Sequence, residues 1–297
     1  MDLLLQAVES GIVTGAVYAL IALSLVIVYK STDVINFAGG DILMASCYIA
    51  LILLLGWGAP YWVAGLAAVA GGFVIGAGFD RLVLERIARR ARGQDVMVAM
   101  VIATIGLSYV LKGLVRMLGY ADEVRSLPAQ FPGRPIFLGN VLVLRQDIGI
   151  VVAAGLLAAA LYLFFSYTKL GRGLRATAED PRAAALIGIP VVRMRMVIWG
   201  IASVLAAVAG LLVAPKILMT PDMGTIVILA FAAAVLGGFT NIPGVIAGGF
   251  VLGIVENLIG LFVSTQAIAV APFLVIMAVL VARPQGLFAG AGRMKKV

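Results

Sequence analysis

Long apolar segments separated by short polar ones dominate the pattern of this chain. A helix that spans a bilayer needs about 20 mostly apolar residues. Six segments reach that length: Gly11–Tyr29, Tyr61–Phe79, Val96–Leu118, Ile148–Tyr167, Val197–Met219 and Val245–Val263. Three further apolar segments are shorter: Ile42–Trp57, Thr225–Phe239 and Ile268–Val281. The pattern predicts an all-α, polytopic bundle of transmembrane helices with about nine spans, in a range of about eight to ten.

The segment Thr225–Phe239 is the ambiguous one, because it is short and ends in Gly237-Gly238. A tilted span fits its length. A broken, re-entrant segment that lines a cavity fits equally, since irregular backbone is tolerated at membrane depth only where protein or water surrounds it. We expect this segment to cross, because about nine crossings place every basic loop on one side.

Lys and Arg in the polar segments set the expected orientation, because cytoplasmic loops carry an excess of these residues. Cations are concentrated in residues 81–92, in residues 169–195 and in the tail, at Arg293, Lys295 and Lys296. The loop 119–147 mixes acids such as Asp122 and Glu123 with arginines, so we expect it to be extracytoplasmic. The N-terminus is then outside and the C-terminus cytoplasmic, with residues 1–297 forming one transmembrane domain and 168–190 a cytoplasmic loop.

Composition supports the membrane class and excludes several functions. The 297 residues are 63% hydrophobic and 12% charged, whereas soluble domains are about 25% charged. The net charge of +8 therefore indicates membrane orientation, and we expect no nucleic-acid partner. The absence of histidine removes His-based triads and most metal sites. No G-x-x-x-x-G-K-[ST] motif occurs, so no P-loop, catalytic residue or metal ligand is predicted.

A few polar residues fall inside the apolar segments, where a charge is costly and should face the bundle interior or water. Glu256 and Asn257 lie midway along one segment, and Thr104 and Ser108 share a face of another. Both a translocation pathway and a purely structural interhelical hydrogen bond fit Glu256 and Asn257. Asn36 fits an interfacial anchor or a residue that caps or breaks a helix. Other polar residues are interpreted as interfacial anchors or snorkelling side chains: Lys30, Asp33, Asp41, Lys112, Arg116 and Lys216.

Glycines occur at small-xxx-small spacings, which allow close helix packing in membranes. The two groups are Gly244, Gly248, Gly249 and Gly253, and Gly72 and Gly76. We interpret both as packing surfaces. Two Asn-plus-Gly segments, Asn36–Asp41 and Asn241–Gly244, hint at an internal duplication.

The segment Thr168–Pro190 contains a predicted short cytoplasmic helix. Glu179 and Asp180 stand at its expected start together with Pro181, which suits the positive end of a helix dipole. Gly188 and Pro190 are expected to end it. A helix that presses into a partner and a solvated connector between two spans are both compatible with this pattern.

Four segments in register resemble a known family, the permease subunits of high-affinity branched-chain amino acid ABC importers. They are YALIALSLVIVYKSTDVINFAGGD, LGRGLRATAEDPRAAALIGIPVVRMR, TPDMGTIVILAFAAAVLGGFTNIPGVIAGGFVLGIVENL and RPQGLF. The similarity runs in order from about Gly11 to Phe288. The short stretch before the first span resembles the smaller of the two paired permeases in such systems.

The resemblance implies a multi-pass subunit of the bacterial inner membrane. Its implied partners are a second, similar permease, two cytoplasmic ATPases and a periplasmic solute-binding protein. The chain itself would bind no cofactor, since the partner ATPases use the ATP. The loop Gly171–Pro190 would dock on an ATPase, through Gly171, Arg175, Glu179, Asp180, Ala183 and Gly188. The expected permissive path has Asn36, Thr104, Ser108, Glu256 and Asn257 as candidates.

Three departures from the family pattern and several alternatives accompany this interpretation. The family usually has His-Gly-Glu where Gly39-Gly40-Asp41 stands, Ser where Thr220 stands, and a Gly-Gly-Leu-Gly-Ser-Ile-Pro-Gly segment where this chain reads GGFTNIPG. Related permeases import urea, short amides or other small acids, so the motifs leave the solute open. The rival classes are an ion-coupled secondary transporter, an intramembrane enzyme and a non-transporting scaffold. The first would need a relay of carboxylates in the membrane, for which Glu256 alone is a candidate.

Overall fold

The computed structural model describes residues 2–90, 95–119, 125–138, 141–239, 241–283 and 286–287, and these residues are predominantly helical. The helices are α1 (Asp2–Thr32), α2 (Gly39–Gly56), α3 (Tyr61–Phe79), α4 (Glu85–Arg90), α5 (Asp95–Arg116), α6 (Arg145–Tyr167), α7 (Lys169–Glu179), α8 (Pro181–Leu186), α9 (Val191–Val213), α10 (Ile226–Gly237), α11 (Ile242–Phe262) and α12 (Ala271–Ala282). A π-helical turn joins α3 to α4, and 3-10 turns precede α10 and α12.

Within the described residues, seven helices are long and apolar enough to cross a bilayer: α1, α2, α3 with its extension to Arg90, α5, α6, α9 and α11. Two shorter apolar helices are Met223–Gly237 and Ala271–Ala282. The predicted polytopic helical class is confirmed. The ambiguous segment Thr225–Phe239 forms a 12-residue helix that ends at Gly238, whose positive φ of 74° suits glycine. The basic tail residues Arg293, Lys295 and Lys296 lie outside the described residues, as do Arg92, Asp122, Glu123 and Phe288.

The bundle contains two sets of helices with the same pattern of partners. In the first set α2 packs on α3 and α5, and in the second α10 packs on α11 and α12. The sets interlock, because α1 lies along α11 and α9 lies along α3. In this pattern of contacts the segment after α1 corresponds to the segment after α9, and Asn36–Asp41 does not correspond to Asn241–Gly244, which follows α10.

Glycines bring these helices into backbone contact, as their spacing predicts. A Cβ on Gly11 would meet Ile254, and one on Gly15 would meet Phe250. Since the partner number falls as the α1 number rises, α1 and α11 are antiparallel. Gly72 lies against Ala207 and Gly76 against Trp199, so α3 and α9 are antiparallel as well.

The loop 119–147 contains a small β-hairpin that the all-α prediction lacks. Strands β1 (Ile136–Leu138) and β2 (Val141–Val143) pair in antiparallel register. The loop is fastened to the end of α9, where the Lys216 ammonium donates to the Asp147 carboxylate and the Gln146 amide donates to the Leu212 carbonyl oxygen at 3.1 Å. Lys216, which the sequence interprets as a snorkelling side chain, therefore belongs to an ion pair.

Candidate translocation site

Two non-helical segments lead into helical turns that touch each other within the bundle. One, residues 33–38, connects α1 to α2, and the other, residues 214–222, follows α9. They are called here the first and second crossover segments. Beside them Gly40 and Gly224 are in backbone contact, and a Cβ on Gly40 would overlap the Gly224 carbonyl oxygen. Non-helical backbone at membrane depth is tolerated where it is buried in protein or lines a cavity. The surroundings of the Gly40–Gly224 contact are therefore a candidate site for translocation.

The first crossover segment begins and ends with local polar contacts. Asp33 adopts a left-handed conformation with φ of 53° and donates its N–H to the Tyr29 carbonyl oxygen at 2.8 Å, which closes α1. The Asn36 side-chain oxygen accepts the Ala38 N–H at 3.1 Å. This Asx turn leads into α2 and leaves the buried Asn36 side chain at a small cavity of about 70 Å³ between Leu25 and Phe231.

A polar stripe on α5 faces the first crossover segment. Its members, spaced four residues apart and therefore on one helix face, are Thr104, Ser108, Lys112 and Arg116. The Phe37 N–H donates to Thr104 Oγ1 at 3.4 Å, and the Ser108 hydroxyl donates to the Asp41 carboxylate. With a rise of 1.5 Å per residue the stripe covers about 18 Å of the helix.

Charged side chains continue the stripe toward one end of α5. The Lys112 ammonium lies 3.8 Å from Asp41 Oδ1 and 3.6 Å from Asp222 Oδ1. The Arg116 guanidinium lies 3.3 Å from Asp222 Oδ2. Side-chain exposure falls along this series, from 61% at Asp222 through 23% at Lys112 to 6% at Asp41. With Thr104 and Ser108 these side chains form a graded polar series, called here the polar passage, which runs from the exposed Asp222 to the buried Asp41 beside the Gly40–Gly224 contact.

The structure places two of the five predicted path residues, Thr104 and Ser108, in the passage. Asn36 lies next to it along the chain, because its neighbour Phe37 donates to Thr104, but the Asn36 side chain lines the separate small cavity between Leu25 and Phe231. Glu256 and Asn257 lie in the contact between α1 and α11, where the Tyr18 hydroxyl donates to Glu256 Oε1 at 3.2 Å and the Asn257 amide lies 3.5 Å from Thr14 Oγ1.

Three residues of the passage were missed as site residues, because the sequence interprets Asp41 as an anchor, Lys112 as a snorkelling side chain and gives Asp222 no role. The four-residue spacing from Thr104 to Arg116 was the available signal for Lys112. For Asp41 and Asp222 the chain carries no such signal, since both are recruited to α5 by tertiary contacts.

The predicted docking segment 168–190 forms two helices. Thr168 caps α7, accepting the Gly171 N–H at 2.9 Å. Asp180 caps α8, accepting the N–H groups of Arg182 and Ala183 at 2.8 and 3.0 Å. The expectation that Glu179 starts a helix is wrong, because Glu179 is the last residue of α7. The reason is that the Thr168 cap starts an additional helix upstream, and the backbone is extended at Asp180, φ −149°.

The same segment presents a mixed surface. Arg175, Glu179, Asp180 and Ala183 are exposed, as is Gly188, whose φ of 85° allows the turn after α8. Leu186 and Ile187 are 89% and 75% exposed. Gly171 is different, because it is buried and a Cβ there would overlap the Phe164 carbonyl oxygen of α6. Its place is at the joint between the span and the exposed helices.

Comparison with known proteins identifies the family of this chain. Residues 7–282 match the family model described as branched-chain amino acid transport system / permease component. The chain is 33% identical to the high-affinity branched-chain amino acid transport system permease protein LivH of Escherichia coli K12, over 99% of this chain and 97% of that protein. It is 34% identical to the corresponding protein BraD of Pseudomonas aeruginosa, over 99% and 98%. A probable LivH of Methanocaldococcus jannaschii is 30% identical over 86% and 81%. The chain therefore belongs to the family of branched-chain amino acid transport permease components.

Proposed function

We propose that this permease component moves branched-chain amino acids inward across the bacterial inner membrane, as one subunit of an ABC importer. Its proposed partners are a second, similar permease, two cytoplasmic ATPases and an extracytoplasmic binding protein. The chain makes and breaks no covalent bond in this scheme and binds no cofactor. The observation that carries the proposal is the graded polar passage, whose buried end lies beside the Gly40–Gly224 contact in a chain of this family.

The proposed path follows the α5 stripe inward from Arg116 toward Thr104 and Asn36. A polar or charged side chain lines it at each four-residue step along α5 from Arg116 to Thr104, and a binding protein would deliver the solute to its outer end. Because each crossover segment leads into one of the two turns that touch at Gly40 and Gly224, movement of either segment would change the inner end of the path. In this scheme Glu256 and Asn257 fasten α11 to α1.

We infer that the chain crosses the membrane nine times, with the N-terminus outside. The antiparallel packing of α1 and α11 supports the count. We take one crossing for each of six helices: α1, α2, α3, α5, α6 and α9. Since successive crossings alternate in direction, a seventh crossing would be parallel to α1 and an eighth antiparallel to it. Because α11 is antiparallel to α1, the chain between α9 and α11 must also cross. The second crossover segment and α10 would make that crossing together, and α12 the last one.

Thiol labelling tests this orientation. The single native cysteine, Cys47, is fully buried, so an introduced surface cysteine supplies the reactive thiol. We expect a membrane-impermeant maleimide to label an Arg175→Cys variant only from the cytoplasmic side and an Arg134→Cys variant only from the outside. Labelling of the Arg175 position from outside would contradict the topology.

The exposed helices α7 and α8 are proposed to transmit the work of the ATPases. Their charged groups and the exposed Leu186 and Ile187 supply a polar rim and an apolar centre, the composition typical of protein interfaces. ATP binding must favour one conformation over the other, because a ligand with equal affinity for both shifts nothing. Closure of the ATPases would displace α8, and the joint at Gly171 would pass the movement to α6.

Uptake of leucine in cells that express the complete transporter tests the energy source. We expect uptake to persist when a protonophore collapses the proton gradient while ATP is held constant, and to stop when ATP is depleted. The opposite result would favour an ion-coupled secondary transporter. If the cells took up urea or acetamide but no leucine, the protein would still be an importer subunit, but for a different solute.

A further inference from the structure

The Lys112 ammonium is held between two carboxylates without a short contact to either. Its distances of 3.8 Å to Asp41 and 3.6 Å to Asp222 exceed the range of about 2.7–3.2 Å for an N–H···O hydrogen bond. The Lys216–Asp147 pair, at the end of α9, differs because there the ammonium donates directly to the carboxylate. Lys112 is therefore positioned to exchange partners.

The Asp41 carboxylate, at the inner end of the passage, has one oxygen that accepts no hydrogen bond from the described residues. One oxygen, Oδ2, accepts the Ser108 hydroxyl. Among the described residues, none donates a hydrogen bond to the other, Oδ1, although the side chain is buried. This oxygen lies beside Gly224, where a Cβ would come within 2.7 Å of it. A buried carboxylate oxygen without a donor is uncommon, and the cation that lies near this one is the Lys112 ammonium, at 3.8 Å.

The charges in the passage balance in a way that suits one class of solute. Asp41 and Asp222 carry two negative charges, and Lys112 and Arg116 carry two positive charges. Entry of a zwitterion leaves this sum unchanged, whereas a cation or an anion would place an uncompensated charge in a partly buried site, which is costly. An uncharged amide would interrupt the contacts of Lys112 with the two carboxylates and could form no ionic contact in their place.

We propose that Asp41, Lys112 and Asp222 form a zwitterion station at which an α-amino acid takes over both ends of an ion pair. The solute ammonium binds Asp41, the solute carboxylate binds Lys112, and Asp222 holds Lys112 between passages. The proposal rests on the proposed function and adds its chemistry: the permease itself requires a solute with both charges, and neutral amides and urea are disfavoured. A site built for charged groups discriminates strongly against analogues that lack them.

The test uses the complete reconstituted transporter and measures leucine transported per ATP hydrolysed. We expect the double variant Asp41→Asn with Lys112→Met to reduce this ratio about tenfold or more, as loss of charge-assisted contacts predicts. Its matched control is Asp147→Asn with Lys216→Met, a neighbouring Lys–Asp pair with similar exposure, which we expect to keep the ratio within about twofold of the unmodified protein.

The double neutral variant separates the station from a structural ion pair. If the pair only stabilises the fold, removing both charges together should restore what a single substitution loses, and wild-type transport by the double variant would overturn the station. If the double variant does not fold, Lys112→Gln and Lys112→Arg are compared instead. We expect Lys112→Gln to lose leucine transport per ATP and Lys112→Arg to retain most of it. Equal transport by these two would also overturn it. Absence of leucine transport by the unmodified complex would instead contradict the proposed function.

Discussion

We expect a Gly40→Ala variant to give little folded, active transporter. The added methyl group would overlap the Gly224 carbonyl oxygen, and both groups belong to backbone that is fixed on each side. Overpacking of a core costs about 1–3 kcal/mol and more where the backbone must move. We expect the monodisperse fraction in detergent to fall sharply and leucine uptake to fall with it, as measured by size-exclusion chromatography and transport in vesicles.

Gly106→Ala is the matched control for this variant. Gly106 lies within α5, and a Cβ there meets no atom of the described residues within 4 Å. Alanine in a helix interior is favoured over glycine by about 1 kcal/mol, so we expect normal yield and normal uptake. Normal behaviour of Gly40→Ala as well would show that Gly40 and Gly224 do not touch as described.

Reversal of the charges at Glu179 and Asp180 is expected to uncouple ATP hydrolysis from transport. A double variant with Lys at both positions removes the carboxylate that caps α8, and a lost cap costs about 1 kcal/mol. It also inverts the charge beside the exposed Ala183, which is unfavourable for an interface complementary to the native charges. We expect normal membrane insertion and a fall of about tenfold or more in leucine transported per ATP.

Two controls separate the causes of this effect. Asp180→Asn keeps a good N-cap residue and removes one charge, so we expect it to retain most of the coupling. Arg134→Glu reverses the sign of an exposed charge in the loop 125–138, on the opposite side of the membrane in our topology, and should leave the transport ratio unchanged. Unchanged transport in the double Lys variant would remove α8 from the coupling pathway.

The long helices were predictable because hydropathy alone decides them. Tyr61–Phe79 was predicted with the bounds that α3 has, and Val245–Val263 lies within three residues of α11. Lipid imposes this regularity, since backbone polar groups in the bilayer must be satisfied within each helix. Helices in lipid pack closely where small residues are spaced four apart, so the roles of Gly72, Gly76 and the α11 glycines could be interpreted from their spacing.

The crossover segments were less predictable, because their course depends on contacts far along the chain. Asp41 is drawn inward by Ser108 and Lys112, which lie about 70 residues later. Read alone, a polar stretch after a span resembles an interfacial loop. Asp222 illustrates the same limit, since its partners on α5 precede it by about 110 residues.

The docking segment shows an error of a different kind. Asp180 followed by Pro181 is a strong helix-start signal, and the structure confirms that α8 starts there. The prediction failed upstream because Thr168, a favourable N-cap residue, was not weighed as the start of α7. Recognition of that cap would have placed Glu179 at a helix end.

Leucine uptake into proteoliposomes tests the central claim, that this chain is an ATP-driven conduit without an energy source of its own. Two preparations are compared: the chain alone, and the chain assembled with a second permease, the two ATPases and a loaded binding protein. We predict uptake against a gradient only in the assembled preparation, and only with ATP. Leucine uptake by the chain alone, without nucleotide, would contradict the account.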